Sequence, residues 1–109
     1  MNPVASLAHV APIRNDRPGY HSLRRSLAGS AGGRELGCSH MVVAPGSAAW
    51  PLHWHAANEE GIFILSGHGK VQRGEASFTV APGDYVAFPR GPHAAHQVRN
   101  HGSSDLVYL

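Results

Sequence analysis

A single cysteine, Cys38, is present, so no internal disulfide can form and nothing calls for an oxidising compartment. Charge is scarce as well: Asp, Glu, Lys and Arg make up 15% of the chain and apolar residues 42%, a balance that argues against disorder and for a folded domain. No apolar run approaches the ~20 residues of a bilayer-crossing helix, and the opening stretch, broken by Arg and Pro, lacks the apolar segment of a secretion signal. A soluble, cytoplasmic protein with no membrane partner is therefore expected. Sustained helical periodicity is also missing from residue 35 onward, which removes helical bundles from consideration.

What the chain does have is turn chemistry, with 13 Gly and 8 Pro in 109 residues. That length suits one domain with a modest core. Its charge is divided unevenly. Residues 1–34 hold five Arg against Asp16, whereas residues 35–109 hold four basic and six acidic groups. The basic head, Arg14, Arg17, Arg24, Arg25 and Arg34, lies among Pro, Gly and Ser without aromatic stacking partners. It reads as a solvated lead-in rather than a nucleic-acid arm. Two regions follow: an N-terminal arm over 1–34, in which only residues 20–27 suggest a strand or turn, and a folded body over 35–109.

In the body, short β-type runs recur between turn signals. Strands are expected through Met41 and Val43, over Trp50–His55, Glu60–Ser66, Lys70–Arg73, Ala76–Val80 and Tyr85–Phe88, and over Ala95–Asn100 and Leu106–Leu109. About eight short strands without helices predict an all-β sandwich or small barrel fed by alternate side chains. Trp50, Trp54, Phe63, Phe78, Tyr85 and Phe88 are assigned to its core or to an interface, and Cys38 to a small buried filler. The glycines at 46, 67, 83 and 91 are read as turn residues that allow positive φ.

The chemistry concentrates in GSAAWPLHWHAANEEGIFILSG, residues 46–67. His53 and His55 are two apart, so in extended chain both imidazoles leave by one face while Trp54 leaves by the other. Neutral imidazole is the commonest protein metal ligand, and a nearby glutamate adds an oxygen donor. Glu60 is preferred over Glu59 because it shares a face with Ile62 and Ile64. A third imidazole must come from another strand. His96 is favoured, since His96, Val98 and Asn100 share a face, and His93 is its rival. Five other histidines, at 9, 21, 40, 68 and 101, read as packed or exposed residues. Arg73 and Arg99 are the arginines considered for a barrel mouth that takes an acidic substrate.

These residues resemble the two motifs of the cupins. Gly46, His53, His55, Glu60 and Gly67 match the first, with six residues rather than five between Gly46 and His53. Gly83, Pro89, Gly91, His96 and Asn100 match the second in order, with His96 farther from Gly91 than in the commonest form. The resemblance covers about residues 35–109 and is greatest to bacterial single-domain cupins of undefined substrate. It implies a double-stranded β-helix, that is, a jelly-roll β-barrel. It also implies a divalent transition metal (Mn, Fe, Ni, Co or Zn) on His53, His55, Glu60 and His96.

Two functions follow from this reading. The first is a metal-dependent enzyme on a small molecule, of isomerase, lyase or dioxygenase type, with Glu59 and His93 as acid–base candidates by proximity alone. The alternative is a non-catalytic module that binds a small ligand and reports it to a partner. Because small jelly rolls leave edge strands to be covered, the arm is expected to cross onto a second subunit in a homodimer.

Overall fold

The computed structural model describes residues 2–109 as nine strands in two antiparallel sheets that form a jelly-roll β-barrel. The strands are β1 (Ile13–Arg17), β2 (Tyr20–Ser26), β3 (Ser39–Val43), β4 (Glu60–Ser66), β5 (Gly69–Arg73), β6 (Ala76–Val80), β7 (Tyr85–Phe88), β8 (His96–Arg99) and β9 (Leu106–Tyr108). The larger sheet runs β1-β2-β3-β9-β4-β7 and the smaller β6-β5-β8. Among the described residues the only α-helix is the single turn Leu27–Ser30, and no helix is long and apolar enough to cross a membrane.

Alternation puts one face of each sheet inward. Met41 and Val43 from β3, Ile62 and Ile64 from β4, Val71 from β5, Val98 from β8, and Leu106 and Tyr108 from β9 meet in one core with Phe88. Strand β4 is half-buried: Ile62 and Ile64 face the core, and Phe63 and Leu65 point outward. Of the aromatics assigned to core or interface, Phe88 is buried in the core, whereas Trp50, Trp54, Phe63, Phe78 and Tyr85 are 40–65% exposed: Trp50 and Trp54 lie in a loop, Phe63 and Tyr85 on the outer faces of their strands, and Phe78 beside Val71 on the edge strand β6. Cys38 is likewise exposed rather than a filler, since it precedes β3 and has no opposing sheet to pack against.

Two departures from the expected strand set shape the site. Residues 13–26 form a hairpin whose second strand pairs with β3, from Ser22↔Val43 to Ser26↔Ser39. Its first strand was missed because IRNDR is an edge strand exposed at four of five positions, which leaves no alternation to read. Conversely, Trp50–His55 is not a strand. A register runs against β8 from Ala48↔Arg99 to His53↔His96, with two more residues on the 48–53 side than on the other. Trp50-Pro51-Leu52 bulges out, as expected where Pro51 has no N–H to donate. The Gln97 amide donates to the Trp50 carbonyl at 3.1 Å and closes the bulge.

Gly67 shows why the first motif ends in glycine. Its φ is +81°, and an added Cβ would collide with the Asp105 carbonyl oxygen, so a side chain is refused both by conformation and by space.

On the outer face of β3, His40 is buried and its Nδ1 has no hydrogen-bond partner. Burial, with the Arg25 charge opposite, holds its pKa below the ordinary 6.5. The unfolded chain therefore takes up this proton first as pH falls through 6.5, and stability present above that value is lost below it. Thermal unfolding of the metal-free protein between pH 8 and 5 should show this loss, and His40→Leu should flatten it; an unchanged slope would remove His40 as a source.

Candidate metal centre

The two histidine segments are locked together by backbone. His53 N–H donates to the His96 carbonyl at 3.2 Å, and His96 N–H donates to the His53 carbonyl at 2.8 Å. The Gly91 N–H donates to the His55 carbonyl at 2.9 Å, so the turn of the second motif anchors a histidine of the first. Glu60 opens β4, opposite Phe88 of β7. Four side chains from three separate segments thus converge: one donor atom from each of His53, His55, Glu60 and His96 lies within 4.8 Å of the others. His93, exposed in the 3-10 turn Pro92–Ala94, and Glu59, exposed beside Glu60, are outside this group.

Hydrogen bonding fixes two of the rings. The His53 Nδ1–H donates to the Pro51 carbonyl at 2.9 Å and the His96 Nδ1–H to the Ala94 carbonyl at 2.8 Å. A carbonyl only accepts, so in each neutral ring the proton sits on Nδ1 and the Nε2 lone pair is free. Phe88 stacks on His96 with ring centroids 3.7 Å apart and planes 8° from parallel, which holds the ring where the hydrogen bond aims it. Burial keeps the pKa of His96 below the usual imidazole value, against the raising influence of the Ala94 carbonyl and Glu60. The ring is thus neutral and able to coordinate near pH 7.

The donor atoms crowd one another without forming hydrogen bonds of good geometry. Glu60 Oε2 is 2.7 Å from His55 Nε2 and 3.4 Å from His96 Nε2. Yet neither Glu60 Oε2 nor His96 Nε2, both buried, has a hydrogen-bond partner. Buried polar atoms left unpaired cost roughly 1–3 kcal/mol each, and a cation would satisfy both at once. Three imidazoles and one carboxylate fit a divalent transition metal; the group could hold such an ion. Glu60→Gln is expected to weaken metal binding by more than the roughly 10- to 100-fold typical of outer-shell partners, while Glu59→Gln leaves it unchanged. Titration with a colorimetric chelator as competitor checks both.

Outside the four lies a cavity of about 1120 Å³. Its walls include Arg24, Met41, Tyr85 and Tyr108, with Glu35 and Glu59 exposed at its edge. Three of these were not legible as site residues. Arg24 belongs to the basic head, Met41 reads as core, and Tyr108 stands outside both histidine motifs. Tyr108 is buried, and burial first, then the Glu60 charge, pushes its phenol pKa well above 10.0. It is a neutral hydroxyl facing the site at any physiological pH. Only the register Met41↔Tyr108↔Ile64 could have placed it there. The arginines first considered are elsewhere. Arg73 donates to the Ala87 carbonyl at 3.0 Å, and neither Arg73 nor Arg99 lines this cavity.

A cupin-domain family model matches residues 39–109. The chain belongs to the cupins. This cupin superposes on a putative sugar phosphate isomerase from Acidithiobacillus ferrooxidans with a TM-score of 0.89 and 28% identity, over 99% of this chain and 72% of that one. A predicted oxalate decarboxylase from Thermotoga maritima gives a TM-score of 0.82 at 24% identity, over 97% and 93% of the two chains. The polyketide cyclase RemF from Streptomyces resistomycificus gives 0.80 at 20%, over 95% and 73%. Comparison with curated proteins finds no match. Likeness below 25% identity shows the fold alone, and the chemistries those names describe differ from one another.

Proposed function

We propose that this cupin is a metal-dependent enzyme acting on a small molecule, with His53, His55, Glu60 and His96 as the metal ligands. The observation that carries the reading is the convergence beside an open cavity of one donor atom from each of the four residues, all within 4.8 Å of one another, with Glu60 Oε2 and His96 Nε2 buried and without a hydrogen bond. A divalent transition metal held there would supply Lewis-acid polarisation of a bound oxygen. The chain's own residues do the rest. The Pro51 and Ala94 carbonyls keep His53 and His96 in the tautomer that presents Nε2. Phe88 excludes water from the far side of His96. Tyr108 keeps its proton and can donate a hydrogen bond to an oxygen in the cavity, and Met41 makes the adjoining wall apolar.

The isomerase, decarboxylase and cyclase names of the structural neighbours define the first substrates to try. The test combines metal analysis of the purified protein with product analysis after incubation with sugar phosphates and with oxalate. Metal together with turnover supports the reading. Metal and ligand binding without turnover across such a screen would favour a non-catalytic module, and absence of metal would overturn the ligand set.

The same reading includes a cytoplasmic homodimer. The exposed edge strand β1, with Ile13 uncovered, and the exposed Phe63, Leu65, Phe78 and Tyr85 are surfaces that a second subunit would cover. Light scattering that gives a monomer at working concentration would remove the dimer.

A further inference from the structure

The N-terminal hairpin places one unpaired cation in the cavity wall. In the register Arg24↔Met41↔Tyr108, three strands present neighbouring residues on one sheet face, and all three line the cavity beside His53, His55 and Glu60. Arg24 is half-buried, so its guanidinium has lost part of its water shell. Among the described residues it makes no ion pair within 4.0 Å and no side-chain hydrogen bond. Among the described residues three other arginines are engaged, Arg14 with Asp16, Arg25 with the Val10 carbonyl and Arg73 with the Ala87 carbonyl; Arg17, Arg34, Arg90 and Arg99 are unpaired like Arg24, but none of them lines the cavity. A planar cation with its fork of donors unused, inside a cavity, is matched by a carboxylate or a phosphate.

Charge narrows the ligand further. A divalent ion on three neutral imidazoles and the Glu60 carboxylate carries one net positive charge, and Arg24 adds a second across the cavity. The exposed carboxylates of Glu35 and Glu59 at the edge repel an anion that is not seated against these two charges. We propose that Arg24 is the specificity residue for a small acid with two anionic or oxygen-rich heads, one engaging the metal site and the other, a carboxylate or phosphate, held by the Arg24 guanidinium. This rests on the metal reading above and deepens it. It also assigns a role to a segment that precedes the matched cupin residues 39–109.

The test is binding to the metal-loaded protein by calorimetry, with two matched pairs of probes: malate against lactate, and 3-phosphoglycerate against glycerate. In each pair the hydroxy-acid head is shared and only the second anion differs, so the pairs also separate a carboxylate from a phosphate at Arg24. The two-headed member of at least one pair should bind roughly tenfold or more tightly. Arg24→Gln should abolish that preference without changing metal content or the affinity for lactate and glycerate, and Arg24→Lys should restore part of it. Equal affinities within both pairs for the wild-type protein, or a preference that survives in Arg24→Gln, would overturn the assignment while leaving the metal site intact. A wild-type protein that takes up no metal would overturn the metal reading first. Circular dichroism of each variant establishes that it is folded.

Discussion

Replacing His53 and His55 together by alanine should leave the purified protein with less than about a tenth of the wild-type metal content. Two of four donors go, and the remaining pair, His96 and Glu60, leaves an incomplete shell for any divalent transition ion. The fold should survive, because these side chains are half-exposed and the backbone bonds between His53 and His96 do not depend on the imidazoles. Elemental analysis alongside a circular dichroism spectrum separates the two effects. Equal metal in wild type and variant would mean that the ion, if any, is bound elsewhere.

The largest loss of stability is expected from Asn100→Ala. The Asn100 side chain is fully buried. Its amide nitrogen donates to the Val43 carbonyl at 2.8 Å and the Ser104 carbonyl at 2.9 Å, and its oxygen accepts from the Gly102 N–H at 2.8 Å. It therefore ties the end of β8 to β3 and to the loop before β9. Truncation leaves several buried backbone groups unpaired, at roughly 1–3 kcal/mol each, so a loss of about 3 kcal/mol or more is expected. Urea unfolding monitored by tryptophan fluorescence measures it. A change below about 1 kcal/mol would mean that water replaces the amide. Metal affinity should fall less than in the double histidine variant, because Asn100 touches no donor atom.

The body of the barrel was legible because its strands alternate and its turns carry glycine and proline. The strands at Glu60–Ser66, Ala76–Val80 and Tyr85–Phe88 appear with the expected bounds, and the buried face of His96, Val98 and Asn100 follows from their spacing. The four donors could be picked out for the same reason: two are neighbours, and the others sit at strand starts where side-chain direction is fixed. What was not legible depends on contacts between distant segments. Nothing in IRNDR marks a strand until β2 is available to pair with it, and nothing in Leu-Val-Tyr at residues 106–108 reveals that Tyr108 faces Glu60. The bulge at Trp50–Leu52 hid itself differently. Alternating aromatic and histidine residues imitate a strand, while Pro51 and the register against β8 enforce a bend.

The reciprocal backbone pair between His53 and His96 has a thermodynamic consequence. It is an isolated bridge joining positions far apart in sequence, at the place where the donor atoms meet. An ion shared by those donors binds the closed arrangement and not the unfolded chain, so its binding free energy adds to folding free energy by mass action. Saturation at a thousandfold excess over Kd is worth about 4 kcal/mol, a large part of the ~5–15 kcal/mol that holds a typical domain together. Metal supply would then set not only whether the site can react but what fraction of the molecules is folded, and chelation would act on this cupin as a denaturant does.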